Sequence, residues 1–338
     1  MTVATSVIIT SYDVLQLPNI AEVLRCLKTQ TYQDFELVYV TEGDKLLRQT
    51  VERYITEDGI NGRVIYQSRA LGLGEARNLG AFSSIGKYLV FLDDDVVLPE
   101  GYLQRMTDVL SSDEGIVGVT GHAIPLPING AIIWLPSFLH WAISCTTWMR
   151  TGFLSPVRNA WGHGMAFKRD SFIETGGFPA RTGFELKTRR MENIGEDLML
   201  SLRIRNLSNG VIAFDPTLQL LHKIDPEKLR LRTLVKRTLW VGRTRRILRD
   251  LVPKEAFSNE IRVFHLPHLR NKHPLPVTNA RLTPLSLIGS AIILFSLLIG
   301  FLSGTSWSQL SKPTYLLLLL WSSTKFYFRS VMSAGHGV

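Results

Sequence analysis

Residues 91–95 read FLDDD, and residues 195–197 read GED. Both stretches place carboxylates side by side. Adjacent carboxylates repel one another, and each resists losing its water. A divalent cation held by oxygen ligands, as Mg²⁺ or Mn²⁺ prefers, resolves that conflict. Asp93 and Asp95, at alternate positions, can turn toward one ion where the strand carrying them ends. Such ions take few protein carboxylates and leave positions for substrate phosphates, so the triplet points to a ligand of the nucleoside diphosphate kind. An acidic turn without metal is the plainer reading of an isolated triplet.

The triplet is not isolated. In IGEDLMLSLRIRN (194–206), Leu198 and Leu202 keep helical spacing, which sets Glu196 and Asp197 near a helix start. The positive end of the helix dipole stabilises charge there. A carboxylate in that position can stay ionised and serve as a general base; simple N-terminal capping is the alternative. His222 closes the run IAFDPTLQLLH. Its imidazole can join a metal or touch phosphates, or merely follow a strand.

These groups need a frame. Strand-like runs at 6–10, 35–40, 63–67, 87–92 and 115–121 alternate with helix-like runs. Pro18 opens the first helix, whose Ile20, Val23, Leu24 and Leu27 share a face; further helices are read at 45–57, at 74–84 and after Pro99. Strict alternation predicts an α/β fold of βαβ units, with a mostly parallel sheet and helices on both faces. Ligands of such sheets sit beyond the carboxyl ends of the strands. Thr10–Asp13, Thr41–Asp44 and Asp93–Asp95 should therefore converge on one edge.

Charge divides the chain. Fourteen Lys or Arg against five Asp or Glu lie between His222 and Lys272, which accounts for the whole net charge of +9. Residues 228–251 read as a helix with Leu231, Leu234, Val235, Thr238 and Val241 on one face and arginines over much of the rest. That is the pattern of an interfacial helix on anionic lipid, with a solvated helix as the alternative. Residues 283–303 carry no charge over the roughly 20 residues that span a bilayer. A polar loop and a shorter apolar run at 313–328 follow, so the C-terminal part reads as a transmembrane hairpin with both ends on the cytoplasmic side. The basic run leads straight into that hairpin, which argues against nucleic acid as a partner and for membrane lipids. The segment 131–150, with Trp134, Trp141 and Trp148, reads either as a core or interfacial helix or as a wall at the membrane surface. Cys26 and Cys145 are the only cysteines, so neither a disulfide framework nor a thiolate metal site is expected. The first residues lack the basic and apolar regions of a signal peptide.

The stretches SVIITSYD, QTYQDFELVYVTEGD, GLGEARNLGAFSSIGKYLVFLDDD, GHGMAFKRDSFIETGGF and GEDLMLSLRIRN, in that order between Ser6 and Asn206, resemble glycosyltransferase family 2 of the GT-A fold. The resemblance runs roughly to His222 and implies transfer of a sugar from a sugar nucleotide with a divalent metal, Mn²⁺ or Mg²⁺. Carried over by position, Thr10, Ser11, Tyr12, Glu42, Arg77, Asn78, Asp93 and Asp94 fall on the donor side. Asp93 and Asp95 match the family's DxD pair at the metal-bound diphosphate, and His222, read from its own chemistry, is the third metal candidate. Asp197, with Glu196 beside it, matches the base. Gly162, His163 and Gly164 line the sugar and acceptor. Outside the resemblance, Arg243 and Arg245 of the basic helix are read as gripping a pyrophosphate on the acceptor, as an alternative to resting on lipid. VTEGD departs from the family's usual acidic pair, which leaves the base preference open. Arg237 and Trp240 in VKRTLWVGR match the QxxRW element of processive members poorly.

The expectation is a membrane-anchored inverting transferase facing the cytoplasm. Residues 1–222 would form the catalytic domain, 223–280 a basic interfacial region and 281–338 the hairpin with a short tail. The acceptor would be lipid-linked, either a polyprenyl phosphate or a polyprenyl-linked glycan. A metal-dependent nucleotidyltransferase on a similar sheet and a non-catalytic membrane scaffold are the rival readings.

Overall fold

Apolar runs of five to eight residues, bounded by polar turns, form the centre of the computed structural model, which describes residues 3–149, 151–179, 183–185, 190–192, 195–251 and 284–302. The first half alternates as β1 (Thr5–Ser11), α1 (Leu17–Lys28), β2 (Phe35–Glu42), α2 (Lys45–Asp58), β3 (Gly62–Gln67), α3 (Leu73–Phe82) and β4 (Tyr88–Leu92). There follow β5 (Val96–Val97), α4 (Tyr102–Ser112), β6 (Ile116–Pro127), β7 (Ser155–Val157), β8 (Gly164–Lys168), α5 (Arg169–Glu174), β9 (Gly183–Glu185) and β10 (Arg190–Glu192). The chain continues as α6 (Glu196–Ser208), β11 (Val211–Ile224), α7 (Leu231–Leu251) and α8 (Pro284–Leu302).

The main sheet runs β3-β2-β1-β4-β8-β6-β11-β5, with β7 also on β11. The βαβ half, β3 to β4, is parallel as the alternation requires. The other half corrects the mostly parallel expectation. β8 lies antiparallel between β4 and β6, and the short strands β5 and β7 run antiparallel to β11. β8 is reached through a long irregular segment and not a crossover helix, so the right-handed βαβ rule does not fix its direction. One face of the sheet packs on α1, α2 and α4 through Val7, Ile9, Leu37 and Val90; the other packs through Ile8, Phe91 and Phe167 on Phe172 of α5 and Leu200 and Ile204 of α6. Asp44 was grouped with the ligand-binding edge. Its carboxylate instead caps α2 by accepting from the Leu46 and Leu47 amides at 2.7 and 3.3 Å.

The C-terminal elements also differ from the hairpin reading. Among the described residues no helix is long and apolar enough to cross a membrane. The first apolar run forms α8, and it packs along α7. At their crossing, a Cβ on Gly242 would lie 2.1 Å from the Leu297 carbonyl oxygen, and one on Gly300 would lie 2.0 Å from that of Leu239. The two backbones touch, as small residues at a helix crossing permit. The run at 313–328 lies outside the described residues. The aromatic segment is core: Leu135, Leu139 and Ile143, around a 3₁₀ helix at Ser137–Ile143, are buried with Ile224, Leu234 and Ile293. Trp134 donates its indole N–H to the Leu229 carbonyl at 3.1 Å and covers Gly289.

Candidate active site

Strand ends and one antiparallel ladder build the metal-like cluster. β4 ends at Leu92, so Asp93–Asp95 lie just past the sheet edge. β5 then pairs with β11 so that His222 stands opposite Val96. The Lys223 amide donates to the Asp95 carbonyl at 3.0 Å. This register brings His222 Nε2 within 3.3 Å of Asp95 Oδ1. One atom each from Asp93, Asp95 and His222 can lie within 4.8 Å of the others. Two hard oxygen donors and one imidazole nitrogen suit Mn²⁺, and a magnesium-like ion by the oxygens. Burial raises the Asp95 carboxyl, but His222 and the Lys228 ammonium outweigh it and hold it well below the usual carboxylate range.

Its two neighbours face different partners. Asp94 accepts from Ser11 Oγ, which in turn lies 2.7 Å from the buried Tyr39 hydroxyl. Burial, then the Asp95 charge, pushes Asp94 up to about 7, and the Ser11 hydroxyl pulls it back. Asp93 accepts from Arg77 Nη2 at 2.8 Å. Burial raises its carboxyl, and Arg77 opposes that rise.

Arg77 is the hub. Its guanidinium is 2% exposed and sits over the Phe178 ring at 5.7 Å. Besides Asp93, it donates to the Gly162 carbonyl at 3.0 Å, and its Nη1 lies 3.5 Å from Glu196 Oε1. The Gly162 amide donates to Asp197 Oδ2 at 3.2 Å, and the Leu198 amide donates to Oδ1 at 2.7 Å. The Asp triplet, Gly162 and the GED carboxylates are thus one connected group, although about 100 residues separate Asp93 from Asp197 in the chain. Gly195 caps α6 with φ +132°, a backbone that favours glycine. Burial raises both Glu196 and Asp197. Asp197 adds to the rise at Glu196, while Arg77 lowers both and the Leu198 amide restrains Asp197.

Family comparison accounts for this arrangement. The model of glycosyl transferase family 2 matches residues 6–176. The chain belongs to glycosyl transferase family 2. Consistent with that, it is 23% identical over 253 residues to the glucosyl-dolichyl phosphate glucuronosyltransferase of Haloferax volcanii, covering 74% of this chain and 79% of that protein. It is 26% identical over 149 residues to the uncharacterized glycosyltransferase YibD of Escherichia coli, covering 40% and 43% of the two chains. The mannosyltransferase PcManGT of Pyrobaculum calidifontis, solved with GDP-Man and Mn²⁺, shares the fold with a TM-score of 0.55 at 16% identity, over 97% of this chain and 85% of that one. This family 2 chain is therefore a glycosyltransferase with a GT-A-like mixed sheet, and the nucleotidyltransferase and scaffold readings fall away.

Several expected site residues make contacts within the protein in this family 2 fold. Asn78 was placed on the donor side, but both ends of its carboxamide bind Phe178: Nδ2 donates to the carbonyl at 2.9 Å, and Oδ1 accepts from the amide at 2.8 Å. It pegs the Gly176–Gly177 turn to α3. Glu42 is buried, and its Oε1 accepts from the Leu71 amide at 2.6 Å, bracing the loop before α3. Burial raises its carboxyl, and the Leu71 and Gly72 amides restrain it. A Cβ on Gly164 would meet Leu220 and the Tyr102 hydroxyl at 2.6 Å, so the close approach there is to core residues. His163 is buried and stacks on His222 at 6.1 Å between centroids. Thr10 and Ser11 end β1 at the expected edge, and Tyr12 beyond them is 44% exposed. Arg243 is exposed and stacks on Trp240 at 5.4 Å, whereas Arg245 on the same helix lies close enough for its charge to lower Asp197.

Two further residues enter the site without having been singled out as ligands. Arg237 donates to Ser144 Oγ, and its buried guanidinium feels Cys145, Glu196, Asp197 and Asp93. Lys228 bonds Asp95 Oδ2 at 2.7 Å. Both belong to the basic run, where fourteen similar charges offer no means of telling the inward-facing ones apart.

Proposed function

We propose that this glycosyltransferase moves a sugar, with inversion, from a nucleoside-diphosphate sugar to a lipid-linked acceptor at a membrane surface. The observation that carries this reading is the Arg77 bridge. It fixes Asp93, at the metal-like cluster, and the Gly162–Asp197 contact in one rigid constellation. Asp93, Asp95 and His222 would hold a divalent ion, which would offset the negative charge gathering on the departing diphosphate. Thr10, Ser11 and Asp94 lie along the same strand edge, where the nucleoside would rest.

Asp197 is the general base. Its raised pKa makes it a stronger proton acceptor than a free aspartate, and its exposed fraction leaves it open to an acceptor hydroxyl. The acceptor O–H bond breaks with its proton passing to the Asp197 carboxylate. The oxygen attacks the anomeric carbon from the face opposite the diphosphate, and the old C–O bond's electrons leave on the nucleoside diphosphate. The single displacement inverts the centre. Glu196, held by Arg77, keeps the α6 N-terminus in register. An acceptor that is a lipid phosphate is already an anion, and there Asp197 acts mainly by position.

Two features support the lipid surface. α7 carries the arginine-rich face, and α8 leaves Ile288, Ile292, Phe295 and Ile299 exposed at helical spacing. The Haloferax volcanii relative is named for a dolichyl phosphate-linked substrate. The test is release of nucleoside diphosphate from a panel of sugar nucleotides, with Mn²⁺ and polyprenyl-phosphate acceptors in vesicles. With a polyprenyl-linked glycan as acceptor, where a hydroxyl attacks and needs a base, Asp197→Asn should abolish transfer and leave donor binding intact. Full transfer by that variant would remove the base assignment, and activity indifferent to lipid would remove the acceptor class.

A further inference from the structure

The Asp–Asp–His cluster already holds a cation of the protein's own. Lys228 sits in a 3₁₀ turn, Pro226–Leu229, six residues after His222. Its backbone is pinned, since its amide donates to Asp225 Oδ1 at 3.0 Å and Leu229 beside it is buried. Its side chain reaches back across the turn. The ammonium contacts Asp95 Oδ2 at 2.7 Å, the Lys223 carbonyl at 3.1 Å and His222 Nε2 at 3.3 Å. Asp95 and the His222 nitrogen are two of the three donor groups a divalent ion would use.

We infer that Lys228 is a resident counter-cation which a divalent metal must displace from Asp95 and His222 in order to bind. This inference rests on reading Asp93, Asp95 and His222 as the metal site. Three facts carry it. The ammonium contacts Asp95 and His222 themselves, two of the three residues a metal would use, and not merely a neighbouring patch. Two positive centres cannot share Asp95 and one imidazole nitrogen without strong repulsion. And the lysine side chain is 30% exposed on a flexible four-carbon stem, so it has a way out while its backbone stays put. An arginine fork in this place would be harder to dislodge. The consequence is regulatory. Free of substrate, the cluster is neutralised and binds metal weakly. The anionic diphosphate that arrives with the ion supplies new negative charge beside the released ammonium, so metal and donor load together.

The experiment is Mn²⁺ binding to the full chain without nucleotide, followed by the electron paramagnetic resonance signal of free Mn²⁺. Lys228→Met should bind Mn²⁺ about tenfold or more tightly than the unaltered protein, the effect expected for removing one unit charge a few ångströms from a divalent ion. Lys228→Arg should bind no more tightly than the unaltered protein. An ammonium that stayed beside the ion would repel it as well, so the tightening reports the charge, and amine-reactive labelling of the unaltered chain reports the displacement: Mn²⁺ should raise the modification of Lys228 relative to the other lysines. Equal Mn²⁺ affinity in the Met variant, or labelling of Lys228 unchanged at saturating Mn²⁺, overturns the displacement and leaves the metal site standing. Absence of Mn²⁺ binding in both proteins overturns the metal site itself, and this inference with it.

Discussion

Replacing Arg77 by Met tests the hub directly. The buried guanidinium bonds Asp93 and the Gly162 carbonyl and faces Glu196 at 3.5 Å. Methionine fills much of its volume and keeps the contact with Phe178, so the loss is electrical. Breaking a buried pair by removing one partner costs about 3–5 kcal/mol, and an orphaned carbonyl about 1–3 kcal/mol. Asp93 is 30% exposed and regains some water, so a net loss of about 3 kcal/mol is expected, at the lower end of that range. That is roughly a hundredfold in the folded-to-unfolded ratio. The sign with pH follows from the carboxylates. Burial already raises Asp93 and Glu196, and Arg77 holds that rise in check. Without Arg77 their folded pKa values climb further, so the penalty is full where both are ionised and fades as pH falls through those raised values. Urea unfolding of the metal-free protein at several pH values measures it. A loss under about 0.5 kcal/mol, or one that grows toward low pH, would refute the argument.

Other expectations are simpler. Gly177→Ala forces a side chain at φ +76° and drives its Cβ to 2.3 Å from Asn78 Oδ1, so thermal unfolding should report a loss of about 2–3 kcal/mol. Transfer to a hydroxyl acceptor should show an acid limb above the ordinary aspartate range, because burial raises Asp197; a rate already flat at pH 4 would contradict its role. Asp94→Asn should flatten the pH dependence of stability in the presence of a chelator. Its folded carboxyl lies near 7, so the unaltered chain loses stability as pH rises from about 4 toward 7, and calorimetric scans across that window check the slope. Gly300→Leu should part α7 from α8, since its side chain would enter the Leu239 backbone, and faster proteolytic cleavage between the two helices should report the separation.

Local chemistry made much of this legible. The βαβ half follows from apolar runs at regular spacing, and the helix at Glu196 from leucines at helical intervals. The DDD carboxylates stand out because crowded like charge is costly without a partner, and the GED carboxylates because they stand where a helix start favours negative charge. The backbone contacts of Asn78 and Glu42 were not legible, for a physical reason as well. A carboxamide on a helix or a carboxylate at a strand end has several backbones within reach, and only the position of Phe178 and Leu71 shows which one it holds. The antiparallel β8 was hidden because strand direction leaves no mark in composition.

The amino-acid order alone determined which groups this protein has for its chemistry and that they stand at element ends, because periodicity and the cost of crowded charge act within a few residues. It also determined that positive charge gathers after His222. Tertiary structure alone decided which groups meet. The β5–β11 ladder sets His222 against Asp95, the fold buries Arg77 between Asp93 and Glu196, and the turn at Pro226 sends one lysine of a basic run into the cluster. Those meetings depend on register and packing across a hundred residues or more, and side chains of the same type look alike until a buried partner distinguishes them.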